Sequence, residues 1–410
     1  MRSWPVPDRG SKRKWLFILA YYPAVTFQPQ NSALPQPSAD ALALSARLQA
    51  LINSEIENAG GWISFARYME LALYAAGLGY YSAGSRKLGA AGDFITAPEL
   101  SPLFGRTLAR QVAELLAQDI PDLIEIGAGS GALAAVVLEE LAALDCLPQR
   151  YLILEVSADL RERQQACIQA RVPAHASRVQ WLDRLPESIN AAVIGNEVLD
   201  ALPVHRVRFD QGCIEEIGVV ARDGGYAWAP HPASAAVAAA ASQQPLPDDY
   251  ETEIGLAAPA LVDDLARRLT RGALLFIDYG FPAHEFFHPQ RNRGTLMCHY
   301  RHHAHDDPFL WPGLQDITAH VDFSAIARAG GSLDLLGYAS QAQFLINCGI
   351  TARLAETPAA DVARYAPLAA QAQQLLSPAE MGELFKVIAL GRGVASPLCG
   401  FIRGDKSHSL

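Results

Sequence analysis

Residues 122–133 read D-L-I-E-I-G-A-G-S-G-A-L. Leu123, Ile124 and Ile126 form the short apolar run of a buried strand, and Gly127, Gly129 and Gly131 break it at alternate positions. From residue 130 the pattern is helical. A strand that ends on glycines and passes directly into a helix is where α/β proteins hold nucleotide-bearing ligands. Glycine lets the backbone approach the ligand, and the helix N-terminus follows. Two ligand classes compete for this loop. With Ala132 it satisfies the dinucleotide spacing G-x-G-x-x-G/A, which suits NAD. Gly127, Gly129 and Gly131 also satisfy G-x-G-x-G. Glu125 decides between them. It lies inside the strand, two residues before the first glycine. A carboxylate there suits a ligand with an ammonium group and a sulfonium, and would repel a pyrophosphate. S-adenosyl-L-methionine (SAM) is therefore the expected cofactor, with Glu125, Gly127, Gly129 and Gly131 against it.

The surrounding pattern agrees. Strands are expected at 122–127, 151–156, 179–182, 192–195 and 272–280, with helices at 130–143 and 158–171 between them. This alternation predicts a parallel sheet covered on both faces. F-K-V-I-A-L-G (385–391) reads as a closing antiparallel strand, as in class I methyltransferases. The expected fold class is α/β: a Rossmann-like class I SAM-dependent methyltransferase core with that closing strand, an N-terminal helical segment and inserted helical and β segments. The expected divisions are a disordered tail (1–35), an N-terminal helical segment (36–120), the first part of the core (121–204), an insertion with a β-hairpin around Gln211-Gly212 (205–270), the second part of the core with a His-rich loop (271–339), a helical insertion (340–380), the closing strand (381–395) and a C-terminal tail (396–410).

Composition narrows the function. The 410-residue chain carries a formal net charge of −10. That argues against nucleic-acid binding, which needs basic surface, and for a small molecule or a basic protein segment. The six cysteines are scattered without a C-x-x-C pair, as in a reducing compartment. No apolar run reaches the roughly 20 residues of a membrane span. Lys12–Lys14 before W-L-F-I-L-A-Y-Y faintly resembles a secretory signal, but Tyr21, Tyr22 and Pro23 interrupt it. The expected location is cytoplasmic, or mitochondrial in a eukaryote.

Other acids fall at the remaining strand ends. Glu155 is expected on the ribose hydroxyls and Asp183 beside the adenine. V-I-G-N-E-V-L-D-A-L-P (193–203) ends the fourth strand near the transferable methyl group. Asn196 is assigned to the cofactor. Glu197 and Asp200, three residues apart, share a face of a helical turn and suit a guanidinium, which pairs with carboxylates in bidentate fashion.

Four stretches carry a family resemblance: G-D-F-I-T-A-P-E-L-S-P-L-F-G (92–105), E-I-G-A-G-S-G (125–131), G-N-E-V-L-D-A-L-P (195–203) and G-L-Q-D-I-T-A-H-V-D-F (313–323). Together they resemble the MidA family of SAM-dependent methyltransferases, over roughly residues 36–395. The resemblance implies methyl transfer to an arginine of a protein, such as a respiratory complex I subunit. It implies SAM contacts by Gly127, Gly129, Gly131 and Glu155, and a closing role for Asp93 and Thr96 over the cofactor.

C-H-Y-R-H-H-A-H-D-D (298–307) invites a metal reading. The ligands crowd one loop without a partner motif such as H-E-x-x-H, and methyl transfer from SAM needs no metal. The loop is expected instead to line the substrate entrance with Gln315, Asp316, Thr318 and His320, the last as a proton acceptor. The competing functions are a non-catalytic SAM-binding scaffold, a methyltransferase acting on a small molecule, and an NAD-dependent oxidoreductase.

Overall fold

Among the described residues seven strands build the main sheet: β1 (Asp122–Ile126), β2 (Arg150–Leu154), β3 (Val179–Leu182), β4 (Ile189–Asn196), β5 (Leu269–Phe281), β6 (Asp334–Ser340) and β7 (Phe385–Arg392). In the computed structural model their spatial order is β3-β2-β1-β4-β5-β7-β6, and a two-residue strand, Val321–Asp322, pairs with β5. β3, β2, β1, β4 and β5 run parallel, whereas β7 is antiparallel to both β5 and β6. The strand read as closing therefore lies inside the sheet, between β5 and β6. The structure describes residues 34–83, 96–244 and 246–410, and the compact unit spans Gln36–Leu410. The expected disordered tail thus lies outside the described residues, apart from Leu34 and Pro35.

The central strands are apolar on both sides because both faces are covered. Leu123, Tyr151, Ile153, Ile194, Leu275 and Ile277 belong to one core cluster, and Ile124, Ile126, Leu152, Val193, Leu274 and Phe276 to the other. The chain steps outward from β1 to β3 and then returns to β4 on the other side of β1. Where strand order reverses, the loops after β1 and β4 diverge and leave a crevice, the usual ligand position in such sheets. Gly127 follows β1 there, and Glu197 follows β4.

The insertion is larger than the single hairpin expected. Val204–Asp210 and Cys213–Arg222 do pair around Gln211-Gly212. Gly225–Pro232 and Tyr250–Gly255 add a strand on each side, giving four. Pro230 and Pro232 disguise the first of these, and proline is tolerated because that strand is an edge. The helices Ala39–Asn58 and Phe65–Tyr74 share a core with this second sheet: Leu48, Ile52, Phe65 and Tyr68 cluster with Val204 and Val219. The His-rich stretch is not a loop. Met297–Tyr300 pairs with His303–His305 and, on its other side, with Asp316–Thr318. Among the described residues no helix is long and apolar enough to cross a membrane.

The last residues, read from sequence as a tail, are folded onto β6. Asp405 accepts a hydrogen bond from the Tyr338 N–H at 2.9 Å, and the Lys406 N–H donates to the Tyr338 carbonyl at 2.6 Å. Phe401 is buried, its ring 5.5 Å from that of Phe344, over the bare Cα of Gly337. Phe401→Ala leaves a void in that contact and is expected to cost roughly 3–5 kcal/mol, read as a lower denaturant midpoint at unchanged slope.

Candidate active site

The glycine loop needs its glycines. Gly127, Gly129 and Gly131 have φ of 68°, 52° and 84°, where a side chain is strained. A Cβ on Gly131 would stand 3.0 Å from the Gln164 backbone, and one on Gly127 3.1 Å from the Val198 side chain. The loop therefore offers bare backbone at the start of the helix Ala132–Ala143. Glu125 lies beneath it, accepting a hydrogen bond from the Tyr151 hydroxyl at 2.7 Å. Burial pushes its pKa up to about 7, against the effect of that hydrogen bond.

Glu155 follows β2 and is buried. One oxygen accepts from the Ser157 N–H at 2.9 Å and the other from the Gln164 amide at 3.1 Å. Burial raises its pKa. The same Gln164 amide donates to the Gly129 carbonyl at 3.1 Å, while its oxygen accepts from Trp181 at 2.8 Å. One buried amide thus fixes the glycine loop relative to Glu155. Sequence reading missed Gln164, because a glutamine within R-E-R-Q-Q-A looks like part of a solvated helix face. Next to Glu155, the Val156 side chain is 80% exposed, an apolar surface of the kind an adenine ring covers. Asp183 directly follows β3, its side chain 87% exposed and ion-paired with Arg161 at 2.6 Å. Arg161 also binds the carbonyls of Glu155 and Leu182, tying the ends of β2 and β3 together.

Thr96 precedes a short helix, Ala97–Leu100, without capping it through its side chain. That helix joins the two halves of the crevice. Glu99 accepts a hydrogen bond from Ser130 in the glycine loop, and the Ala97 N–H donates to Glu197 Oε1 at 3.3 Å. Asp93 lies outside the described residues.

The turn after β4 is held by an acid that sequence reading did not single out. Asp278, fully buried on β5, accepts through Oδ2 from the N–H groups of Val198, Leu199 and Asp200 at 3.1, 2.8 and 3.3 Å. A lone charge inside the apolar run A-L-L-F-I-D-Y was its available signal. Burial and the carboxylates of Asp200 and Glu197 raise its pKa, while the N–H groups of Leu199 and Asp200 pull it down. Glu197 enters this turn with φ of 54°, an uncommon conformation for a non-glycine residue. Its Oε1 also accepts from the Asn196 amide at 2.9 Å. Withdrawal from water, and then Asp200, push the Glu197 pKa up to about 8. Asp200, 5% exposed, binds the Tyr279 hydroxyl, and burial raises its pKa to about 6. Asp200 Oδ1 and Asn196 Oδ1 are both buried with no donor among the described residues. The turn thus presents more acceptors than donors.

The predicted entrance residues separate. Asp316 is buried and accepts from the Tyr81 hydroxyl at 3.0 Å. Gln315 turns to the Asp307 carbonyl at 3.0 Å, and Thr318 to Met297 and Tyr279. His320 packs edge-on against the rings of Tyr279 and Phe281, at 5.2 and 5.3 Å. Burial, Arg291 and Lys386 lower its pKa to about 3, so the ring is neutral and weakly basic, which counts against a proton-accepting role. Among the described residues no group of three or more His, Cys, Asp or Glu is arranged to hold a metal ion.

Comparison with known proteins agrees with this geometry. A protein arginine methyltransferase NDUFAF7 from mouse mitochondria is 31% identical over 367 residues, covering 80% of this chain and 81% of its own. The zebrafish protein of that name is 29% identical over 364 residues, covering 81% of this chain and 84% of its own. A crystal structure of a COG1565 superfamily member from Burkholderia thailandensis, bound to S-adenosyl-homocysteine, superposes with a TM-score of 0.90 at 52% identity. It covers 92% of this chain and 100% of that one. S-adenosyl-homocysteine is SAM without the transferable methyl group, and the loop, Glu155 and Val156 described above fit such a ligand. Residues 103–339 match the family described as "Putative S-adenosyl-L-methionine-dependent methyltransferase". The chain belongs to that methyltransferase family, whose MidA motifs it carries, and SAM is its cofactor.

Proposed function

We propose that this methyltransferase acts on the guanidinium of an arginine in a protein. The observation that carries the reading is the surplus of buried acceptors after β4: Asp200 Oδ1 and Asn196 Oδ1 have no donor among the described residues, and Glu197 lies between them in sequence. Leaving buried acceptors unmade is costly. A guanidinium supplies five N–H donors in one plane and no acceptor, more than enough to meet both orphaned oxygens, and its charge opposes that of the carboxylates. The curated relatives, named as protein arginine methyltransferases, support the same substrate class. The motif resemblance extends the proposal to a respiratory complex I subunit as the partner, and the compartment of the mouse and zebrafish relatives, the mitochondrion, to this chain if it is eukaryotic.

SAM supplies an electrophilic methyl on its sulfonium. The protein must place a guanidinium nitrogen in line with the breaking sulfur–carbon bond and take the proton that the nitrogen loses as the new nitrogen–carbon bond forms. Asp200, with a pKa of about 6, is charged at neutral pH and anchors the cation. Glu197, near 8, is largely protonated until the cation arrives and displaces that proton to solvent. As a carboxylate beside the nucleophile, it then takes the proton released by methyl transfer.

Glu197→Gln and Asp200→Asn are expected to keep SAM affinity within about threefold while lowering arginine methylation on the order of a hundredfold or more. Transfer of labelled methyl from SAM to partner proteins, with methylarginine identified by mass spectrometry, checks this. Full activity in Glu197→Gln would remove its assigned role, and SAM binding with no methylarginine in any partner would favour a scaffold. The same substitution has a stability signature. The folded-state pKa of Glu197 is raised from 4.5 to about 8, so between these values the folded protein holds a proton that the unfolded chain has lost. Wild-type stability therefore falls as pH rises through this window. Thermal melts are expected to show Glu197→Gln gaining on wild type as pH rises towards about 8, and levelling above it.

A further inference from the structure

Two tyrosines from the N-terminal segment meet the carboxylate cluster from outside the core. Tyr74 is the last residue of the helix Phe65–Tyr74, and Tyr81 follows it by one turn-rich loop. Their rings stack at 5.5 Å with an interplanar angle of 21°. The Tyr81 hydroxyl donates to Asp316 at 3.0 Å. The Tyr74 hydroxyl donates to the carbonyl of Ala201 at 2.9 Å, one residue beyond Asp200. Both phenol pKa values are raised by burial and by the carboxylates of Asp316 and Asp200, as expected of groups sharing one pocket with those acids.

The exposure of Tyr74 is unlike that of its neighbours. Tyr68 and Tyr80 are 0% exposed, as packing tyrosines are, whereas Tyr74 is 36% exposed although its hydroxyl is tethered. A ring held at its hydroxyl and stacked on Tyr81, with part of its surface left open, is a platform for a flat cation. Stacking of guanidinium on an aromatic face is favourable, and more so where water is excluded. The carbonyl end of the helix that Tyr74 terminates adds partial negative charge.

We propose that Tyr74 and Tyr81 form the aromatic wall of the substrate channel, with the open face of Tyr74 stacking on the incoming guanidinium beside Asp200. This rests on the arginine reading above. It makes Tyr74 a substrate-binding residue that selects a planar cation, while Asp200 and Glu197 supply the opposing charge. Tyr81 and Asp316 hold the platform in place.

The test is saturation-transfer NMR of the S-adenosyl-homocysteine-loaded full chain with methylguanidinium, comparing wild type, Tyr74→Leu and Tyr74→Phe, with S-adenosyl-homocysteine affinity measured calorimetrically for each. Tyr74→Leu is expected to weaken methylguanidinium binding about fivefold or more, and Tyr74→Phe, which keeps the ring, less than about twofold. All three should bind S-adenosyl-homocysteine alike. Wild-type affinity in Tyr74→Leu overturns the wall and leaves the arginine reading intact. An equal loss in Tyr74→Phe assigns the effect to the hydroxyl tether and overturns stacking. A parallel loss of S-adenosyl-homocysteine affinity shows a structural role instead. No methylguanidinium binding by wild type overturns the arginine reading, and this inference with it.

Discussion

The turn after β4 depends on one carboxylate. Asp278 is fully buried on β5, where an unpaired charge would cost several kcal/mol. Three N–H groups of Val198–Asp200 converge on one of its oxygens, and its other oxygen takes the N–H of Tyr279. These bonds do for the turn what a capping side chain does for a helix N-terminus, but from an adjacent strand. They stop the chain from continuing β4 and fold it back sharply enough to put Glu197 at positive φ. Glu197, Asp200 and the Tyr74-bound carbonyl of Ala201 all take their positions from that constraint.

The crevice itself follows from topology. Because β4 returns beside β1, the glycine loop and the acidic turn face each other without either being designed around the other. Two small devices set their separation. Gln164 links the loop to Glu155, and the helix Ala97–Leu100 links the loop, through Glu99 and Ser130, to Glu197 through the Ala97 N–H. A side chain on Gly131 would strike Gln164, so loop conformation and cofactor-side geometry are one constraint.

What could be read from sequence divides along physical lines. Gly127, Gly129 and Gly131 were legible because positive φ leaves few residue types possible, and β1, β2, β4 and β5 were legible because strands covered on both faces are largely apolar. The SAM preference was legible from the glycine spacing, the carboxylate of Glu125 and the antiparallel strand at 385–391 taken together. Asp278 was visible as an anomaly in an apolar run, but its partners lie about eighty residues earlier and nothing local names them. Tyr74 and Tyr81 are separated from Asp200 and Asp316 by more than a hundred residues, and only the packing of the N-terminal helices on the inserted sheet brings them together. Two edge prolines hid a strand, and a histidine-rich hairpin looked like a loop because its residues have little β propensity. Asp183 was placed after β3 by spacing alone, and its ion pair with Arg161, on a helix twenty-two residues earlier, had no signal in the sequence.

The energetics of the acidic turn bear on the chemistry proposed for it. Asp200 raises Glu197, and both raise Asp278, on top of the cost of burying each, so an empty site holding all three as carboxylates would be unfavourable. The environments separate them instead: Asp200 near 6, helped by Tyr279, and Glu197 near 8. Pairs of acids pushed apart in this way commonly divide their tasks. In the proposed reaction Asp200 carries the standing charge that draws in a cation, and Glu197 stays protonated until that cation makes its ionised form the stable one. The base is then formed only when its substrate is present. Outside that state the site keeps one fewer buried charge, which limits the stability lost to an active site built largely from acids.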